Sequence, residues 1–243
     1  MNYRYAIGDE SYEHLASGRV LYNRSGATAF PVRLASELFG RADAYLRAEG
    51  NPGPYRIYDP CAGGAYMLTS LGFLHGNRIA SLTASDVDSQ AVRLAELNLR
   101  LLTPEGLEER TEQLRRLHET YGKRSHEEAI ASAAALGTML GEGSRIRSVQ
   151  CFEADATEPP TGALRDQTFD LVMSDVPYGN KVEWKTESAQ PVSELLDRLA
   201  GRLAPVAVVV LIATKEQTIA HDRYDKVGQF RLGKRRAVFL RPK

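Results

Sequence analysis

Four apolar stretches in this chain each run out on an aspartate. They are YRIYDP (55–60) at Asp59, IASLTASDVD (79–88) at Asp86, RSVQCFEAD (147–155) at Asp155 and TFDLVMSD (168–175) at Asp175. Segments of helical period alternate with them: Met67, Leu68, Leu71 and Leu74 after the first, SQAVRLAELNLRLL (89–102) after the second, PVSELLDRLAGRLA (191–204) after the fourth. VAVVVLIAT (206–214) is a continuous β-branched run, the pattern of a strand buried on both faces. Strands alternating with helices predict an α/β fold with a mostly parallel sheet and right-handed crossovers. Ligands of such sheets bind outside the carboxyl ends of the strands. Four carboxylates along that edge repel one another, an arrangement that a ligand or cation has to justify.

The rest of the chain fits around that alternation. GRVLYN (18–23) alternates and predicts a short strand. FPVRLASELFGRADAYLRAEG (30–50) has helical spacing, with Pro31 suited to a first turn and Gly50 to a stop. Ser89 is a candidate cap for the helix that follows Asp86. Between about 103 and 144 the expected third strand is delayed by two charged helices that break near Tyr121–Ser125, read as a solvated helical insertion in a single domain spanning 1–243. The tail KVGQFRLGKRRAVFLRP predicts two strands around Gly233.

The loop after the first strand is Asp59-Pro60-Cys61-Ala62-Gly63-Gly64-Ala65. Gly63 and Gly64 let the backbone approach a ligand, and the following helix offers free N–H groups. A dinucleotide site would need G-x-G-x-x-G, which is absent, and an acid directly before the loop would repel phosphate. S-adenosylmethionine (AdoMet) suits the loop better. Asp59 meets its amino group, Asp86 accepts from the ribose hydroxyls, and Asp155 accepts from the adenine amino group, with Ala156 beside the ring. A plain strand-to-helix turn is the competing reading of the two glycines.

The fourth strand end reads Asp175-Val176-Pro177-Tyr178-Gly179. It matches the Asp/Asn/Ser-Pro-Pro-Tyr/Phe turn of methyltransferases that act on planar nitrogens, with Val176 in place of the first proline. The Asp175 carboxylate and the Val176 carbonyl would hold an amino or imino group, and Tyr178 would stack on the ring, worth about 1–3 kcal/mol for a base. Pro177 stiffens the turn and pushes Val176 to extended geometry. A paired base cannot reach such a pocket, so the target is single-stranded, looped or flipped out.

These stretches together, with FPVRLASELF, NLRLLTPEGL and the insert around YGKRSHEEA, resemble the AviRa-like family of avilamycin-resistance ribosomal RNA methyltransferases over nearly the whole chain. The resemblance implies a seven-stranded Rossmann-like class I methyltransferase that uses AdoMet on a guanine base of 23S rRNA. It favours N1, while the turn itself suits N2 equally. It also implies resistance to an orthosomycin-type antibiotic, which no residue here encodes directly. The family loop ends Gly-x-Gly, whereas this one ends on Ala65, which puts the loop backbone in question.

RNA contact is expected from Lys181, Trp184 and Lys185, just past the catalytic turn, and from Arg235 and Arg236 in the basic tail. Trp184 capping the core is the alternative. Net charge is zero, so any basic surface is local. A polar N-terminus, no membrane-length apolar run and two cysteines, Cys61 and Cys151, predict a cytoplasmic protein without disulfides. A monomer is expected, with no metal cluster and with 23S rRNA or the large ribosomal subunit as partner. Two rivals stand beside this reading: the same chemistry on DNA adenine or a protein glutamine, or a non-catalytic RNA-binding protein that keeps the AdoMet fold.

Overall fold

The computed structural model describes residues 3–8, 11–26, 28–141, 143–177, 184 and 189–243. Its strands are β1 (Tyr55–Asp59), β2 (Ile79–Asp86), β3 (Ser148–Glu153), β4 (Phe169–Asp175), β5 (Leu203–Thr214), β6 (Tyr224–Leu232) and β7 (Arg235–Pro242). Its α-helices are α1 (Val32–Ala48), α2 (Tyr66–His75), α3 (Ser89–Arg100), α4 (Pro104–Tyr121), α5 (Arg124–Gly141) and α6 (Pro191–Ala200). The strands form one sheet in the order β3-β2-β1-β4-β5-β7-β6. The first five pair in parallel, and β7 runs antiparallel to both β5 and β6. The fold is Rossmann-like, as the alternation predicts.

The chain steps outward from β1 to β2 and β3, then returns to lay β4 on the other side of β1. That reversal opens a crevice between the carboxyl ends of β1 and β4, the usual ligand position of an open α/β sheet. Asp59 and Asp175 stand at those two ends.

Both faces of the sheet are covered. Ile57, Leu171, Met173 and Val210 look toward a core built with α1, α2, α3 and the insert. Tyr58, Val172, Val209 and Leu211 look toward α6, whose Val192, Leu195, Leu196 and Leu199 are buried. Each such side chain contributes about 1.5–3 kcal/mol on burial.

Local differences from the sequence reading have physical causes. Residues 18–23 form a turn, closed by the Gly18 N–H on the Leu21 carbonyl at 3.0 Å, and their alternation reflects burial of Val20 and Leu21 rather than strand pairing. Asp88, not Ser89, caps α3: its carboxylate accepts the Gln90 N–H at 2.9 Å. The insert is not merely solvated. Thr103 caps α4 and Gly122 ends it in left-handed geometry, so α5 folds back on α4. Leu107, Leu114, Ala129, Ala133 and Leu136 then join the first core. The basic residues that gave the insert its charge face its own acids, with Arg115 on Glu108 and Glu112, Arg116 on Glu112, and Arg124 on Glu128.

Candidate active site

The parallel register carries the four acids to one edge. Asp59 ends β1, Asp86 ends β2, Asp155 lies two residues past β3, and Asp175 ends β4. The loop from Asp59 to α2 continues the sheet for one step, because the Ala62 N–H donates to the Ser85 carbonyl at 2.9 Å.

Asp59 is only 2% exposed. Its Oδ1 accepts from the Ser174 hydroxyl at 2.8 Å and from the Cys61 N–H at 3.1 Å. Burial, then the neighbouring negative charges of Asp86 and Asp175, push its carboxyl up to about 7. A cationic ligand at the crevice would relieve that cost, and the positive amino group and sulfonium of AdoMet have the required charge. Asp86 accepts from the Gly63 N–H at 2.8 Å and from the Asp88 N–H at 2.9 Å, so its carboxylate fixes the glycine loop from the β2 side.

The two glycines do different work. Gly63 has φ of +53°, and a Cβ there would point into open space, so glycine is needed there for its backbone geometry and not for room. Gly64 has no room: a Cβ would stand 2.8 Å from Leu94 Cδ2 and 3.0 Å from the Tyr66 ring. Ala65, at the position where the family resemblance leads to a glycine, takes φ 53° and ψ 28° at the start of α2. The sequence departure therefore keeps the left-handed turn and holds an alanine in it, at a cost of about 1–2 kcal/mol. Buried Asn98 supports the loop from behind, donating to the Gly64 carbonyl at 2.8 Å and accepting the Tyr22 N–H at 2.8 Å.

Asp155 turns partly inward. Its Oδ1 accepts from the Thr157 N–H at 2.8 Å and the Thr157 hydroxyl at 2.7 Å, which closes the turn after β3. Ala156 packs against the second core beside it.

At β4 the Val176 N–H donates to the Ile212 carbonyl at 3.0 Å, so the sheet ladder runs one residue past Asp175. Val176 itself is fully buried. Arg235 Nη1 donates to Asp175 Oδ2 at 3.1 Å. The other oxygen, Oδ1, is buried with no hydrogen-bond donor among the described residues. Burial pushes the Asp175 carboxyl up to about 6, against the opposing pull of the Arg235 charge. The group therefore ionises just below neutral pH and offers a desolvated acceptor.

The expected RNA contacts fall out unevenly. Arg235 is a partner of Asp175 rather than a surface cation. Arg236 donates through Nη2 to the Gln217 carbonyl at 2.8 Å, and its Nε is buried without a partner among the described residues, so it too is turned inward. Trp184 packs against the second core. Tyr178, Lys181 and Lys185 lie outside the described residues. Among the described residues no group of three or more His, Cys, Asp or Glu could hold a metal ion, and no helix is long and apolar enough to cross a membrane.

Sequence reasoning missed Ser174, Asn98, Gln217 and the inward role of Arg235. Ser174, next to Asp175, was in view. Nothing marked Asn98 or Gln217, because each acts through partners remote in sequence.

Three comparisons bear on the identity of this site. The family model described as rRNA methyltransferase AviRa matches residues 1–235. A 23S rRNA (guanine(2535)-N(1))-methyltransferase of Streptomyces viridochromogenes is 37% identical over 98% of this chain and 95% of its own length. The solved structure of the rRNA methyltransferase aviRa from Streptomyces viridochromogenes superimposes with a TM-score of 0.87 at 36% identity, covering 99% of this chain and 96% of that one. TrmN from Thermus thermophilus shares the fold at a TM-score of 0.53 and 16% identity, over 90% of this chain and 51% of its own.

Proposed function

This chain belongs to the AviRa family of rRNA methyltransferases, and from that premise we propose that it methylates N1 of a guanine in 23S rRNA with AdoMet as donor. The observation that carries the assignment of the chemistry is Asp175, at the end of β4: one oxygen is held by Arg235, while the other is buried without a donor among the described residues. Guanine N1 carries a proton that must leave as the new N–C bond forms. A carboxylate that ionises near pH 6 and has a vacant acceptor site matches that proton.

AdoMet supplies the electrophilic methyl group. In this reading Gly63 would give it a backbone approach while Gly64 lets the loop pack on Leu94 and Tyr66, Asp59 would meet its positive amino group, and Asp86, which anchors the Gly63 N–H, would accept from its ribose hydroxyls. In this reading Asp155 would accept from the adenine amino group, with Ala156 beside the ring. Asp175 Oδ1 accepts the N1–H, and the Val176 carbonyl, at the stiff Pro177 turn, is the second acceptor for the base edge. As the methyl passes to N1, the N1 proton moves to Asp175. Arg235 keeps that carboxylate ionised beforehand, against the burial that favours its acid form. Tyr178 supplies the stacking surface in this scheme, and Lys181 and Lys185 the adjoining RNA contact, with Trp184 anchoring their segment to the core.

The chain is taken as a single cytoplasmic, monomeric methyltransferase unit that meets 23S rRNA free or in the large subunit. Protection against an orthosomycin follows if the modified guanine lies in that drug's site. The test is transfer of label from AdoMet to 23S rRNA, to DNA and to protein in parallel. Label in the RNA alone is expected. Label in DNA or protein and none in RNA would sink the reading.

A further inference from the structure

Gln217 lies three residues beyond the end of β5, in the loop that leads to β6. Its Nε2 donates to the Pro177 carbonyl at 2.9 Å, and its Oε1 accepts from the Thr214 N–H at 3.2 Å. Its own backbone carbonyl accepts from Arg236 Nη2 on β7 at 2.8 Å. One side chain therefore ties the turn after β4 to the end of β5, and its main chain is pinned from β7. A primary amide suits this place because it offers a donor and an acceptor on one planar head. The two partners also settle its orientation, since the flipped amide would set donor against donor and acceptor against acceptor.

The turn needs such an outside hold. The pyrrolidine ring fixes φ of Pro177, and the residue before it is biased to extended geometry. The Val176 N–H continues the ladder onto Ile212. What remains loose is ψ of Pro177, and the bond from Gln217 to the Pro177 carbonyl restrains it.

We infer that Gln217 is a positioning residue for methyl transfer: by holding the Pro177 carbonyl it fixes the course of the turn beyond Val176, and with it the geometry at which the base meets the Asp175 carboxylate and the Val176 carbonyl as a pair of acceptors. It acts through the turn, not on the base. A misplacement of about 1 Å in such a pair costs on the order of a hundred-fold in rate. The inference rests on the assignment of this turn to the base.

The test compares wild type, Gln217→Glu and Gln217→Leu on a 23S rRNA substrate at about pH 8, where Asp175 is ionised. Gln217→Glu keeps the shape and the acceptor for Thr214 but lacks the donor for Pro177, whereas Gln217→Leu lacks both. AdoMet affinity by calorimetry and melting temperature are read alongside. Expected is a fall in kcat of at least about ten-fold in both variants, with AdoMet affinity and melting temperature close to wild type. A Gln217→Glu enzyme with kcat within about two-fold of wild type overturns the inference. So does a loss of kcat matched by an equal loss of AdoMet affinity, or by a melting temperature lower by more than about 5 °C, either of which makes Gln217 a structural residue. Wild-type protein that methylates no rRNA overturns the functional reading and this inference with it. Active wild type with active variants overturns the inference alone.

Discussion

The two oxygens of Asp175 have different surroundings, with Arg235 on Oδ2 and no donor on Oδ1. Several outcomes follow at the scale of single residues. The rate on RNA, as kcat/KM, should fall below an acid limb near pH 6, because the base must be ionised to take the N1 proton. Removing the Arg235 charge leaves burial unopposed, so Arg235→Ala should move that limb to higher pH, while a limb that stays in place would deny the coupling. Asp175→Asn keeps the shape and loses the base. It should lower kcat by about 10²–10⁴-fold with AdoMet affinity retained, as steady-state assays and calorimetry would show. Ala65 offers a test of the cofactor loop that does not depend on the chemistry. Its φ of 53° suits glycine, so Ala65→Gly should stabilise the fold by about 0.5–1 kcal/mol after the extra flexibility of glycine is counted. Calorimetric melting should then shift up by about 1–4 °C. A fall in melting temperature would show that the alanine methyl is worth more in packing than its strain costs.

At the scale of elements, the alternation of strand and helix was readable because buried parallel strands are continuous apolar runs, as β5 is, while β4 keeps an apolar Leu171–Met173 centre. The acids at strand ends were readable for the same reason. The docking of the insert was not. α5 meets the core through small residues, Ala129, Ser132 and Ala133, with Leu136, and small residues spaced along a charged helix do not stand out as an apolar stripe. Leu136→Ala should cost about 2–5 kcal/mol in denaturant unfolding, as for any buried leucine. A loss well below 1 kcal/mol would return the insert to a solvated hairpin. The inward role of Arg235 was hidden by topology. Only the antiparallel return of β7 beside β5, with Arg235 opposite Thr214, brings a basic tail residue to the end of β4. A basic run in sequence reads as surface, and here part of it turns inward onto Asp175 and Gln217.

For the whole molecule, zero net charge conceals a site where carboxylates are gathered and two of them are raised, Asp59 to about 7 and Asp175 to about 6. Both raised groups bind protons in the folded state that the unfolded chain has already released. The free protein should therefore lose stability as pH rises from about 4 to about 7, and lose no more from these groups above that window. AdoMet favours the ionised form of Asp59, so its affinity should strengthen through the same window and its binding should release protons. Calorimetry in buffers of different ionisation enthalpy would detect that release, and none at pH 6 would contradict the placing of Asp59 against the cation. The account as a whole stands on the methylated atom. Nucleosides from 23S rRNA treated with the wild-type protein and AdoMet should contain new 1-methylguanosine by mass analysis, with a reverse-transcription stop beside it and neither product with Asp175→Asn. N2-methylguanosine in its place would reduce Asp175 from base to clamp, and methyl groups on no guanine at all would contradict the account.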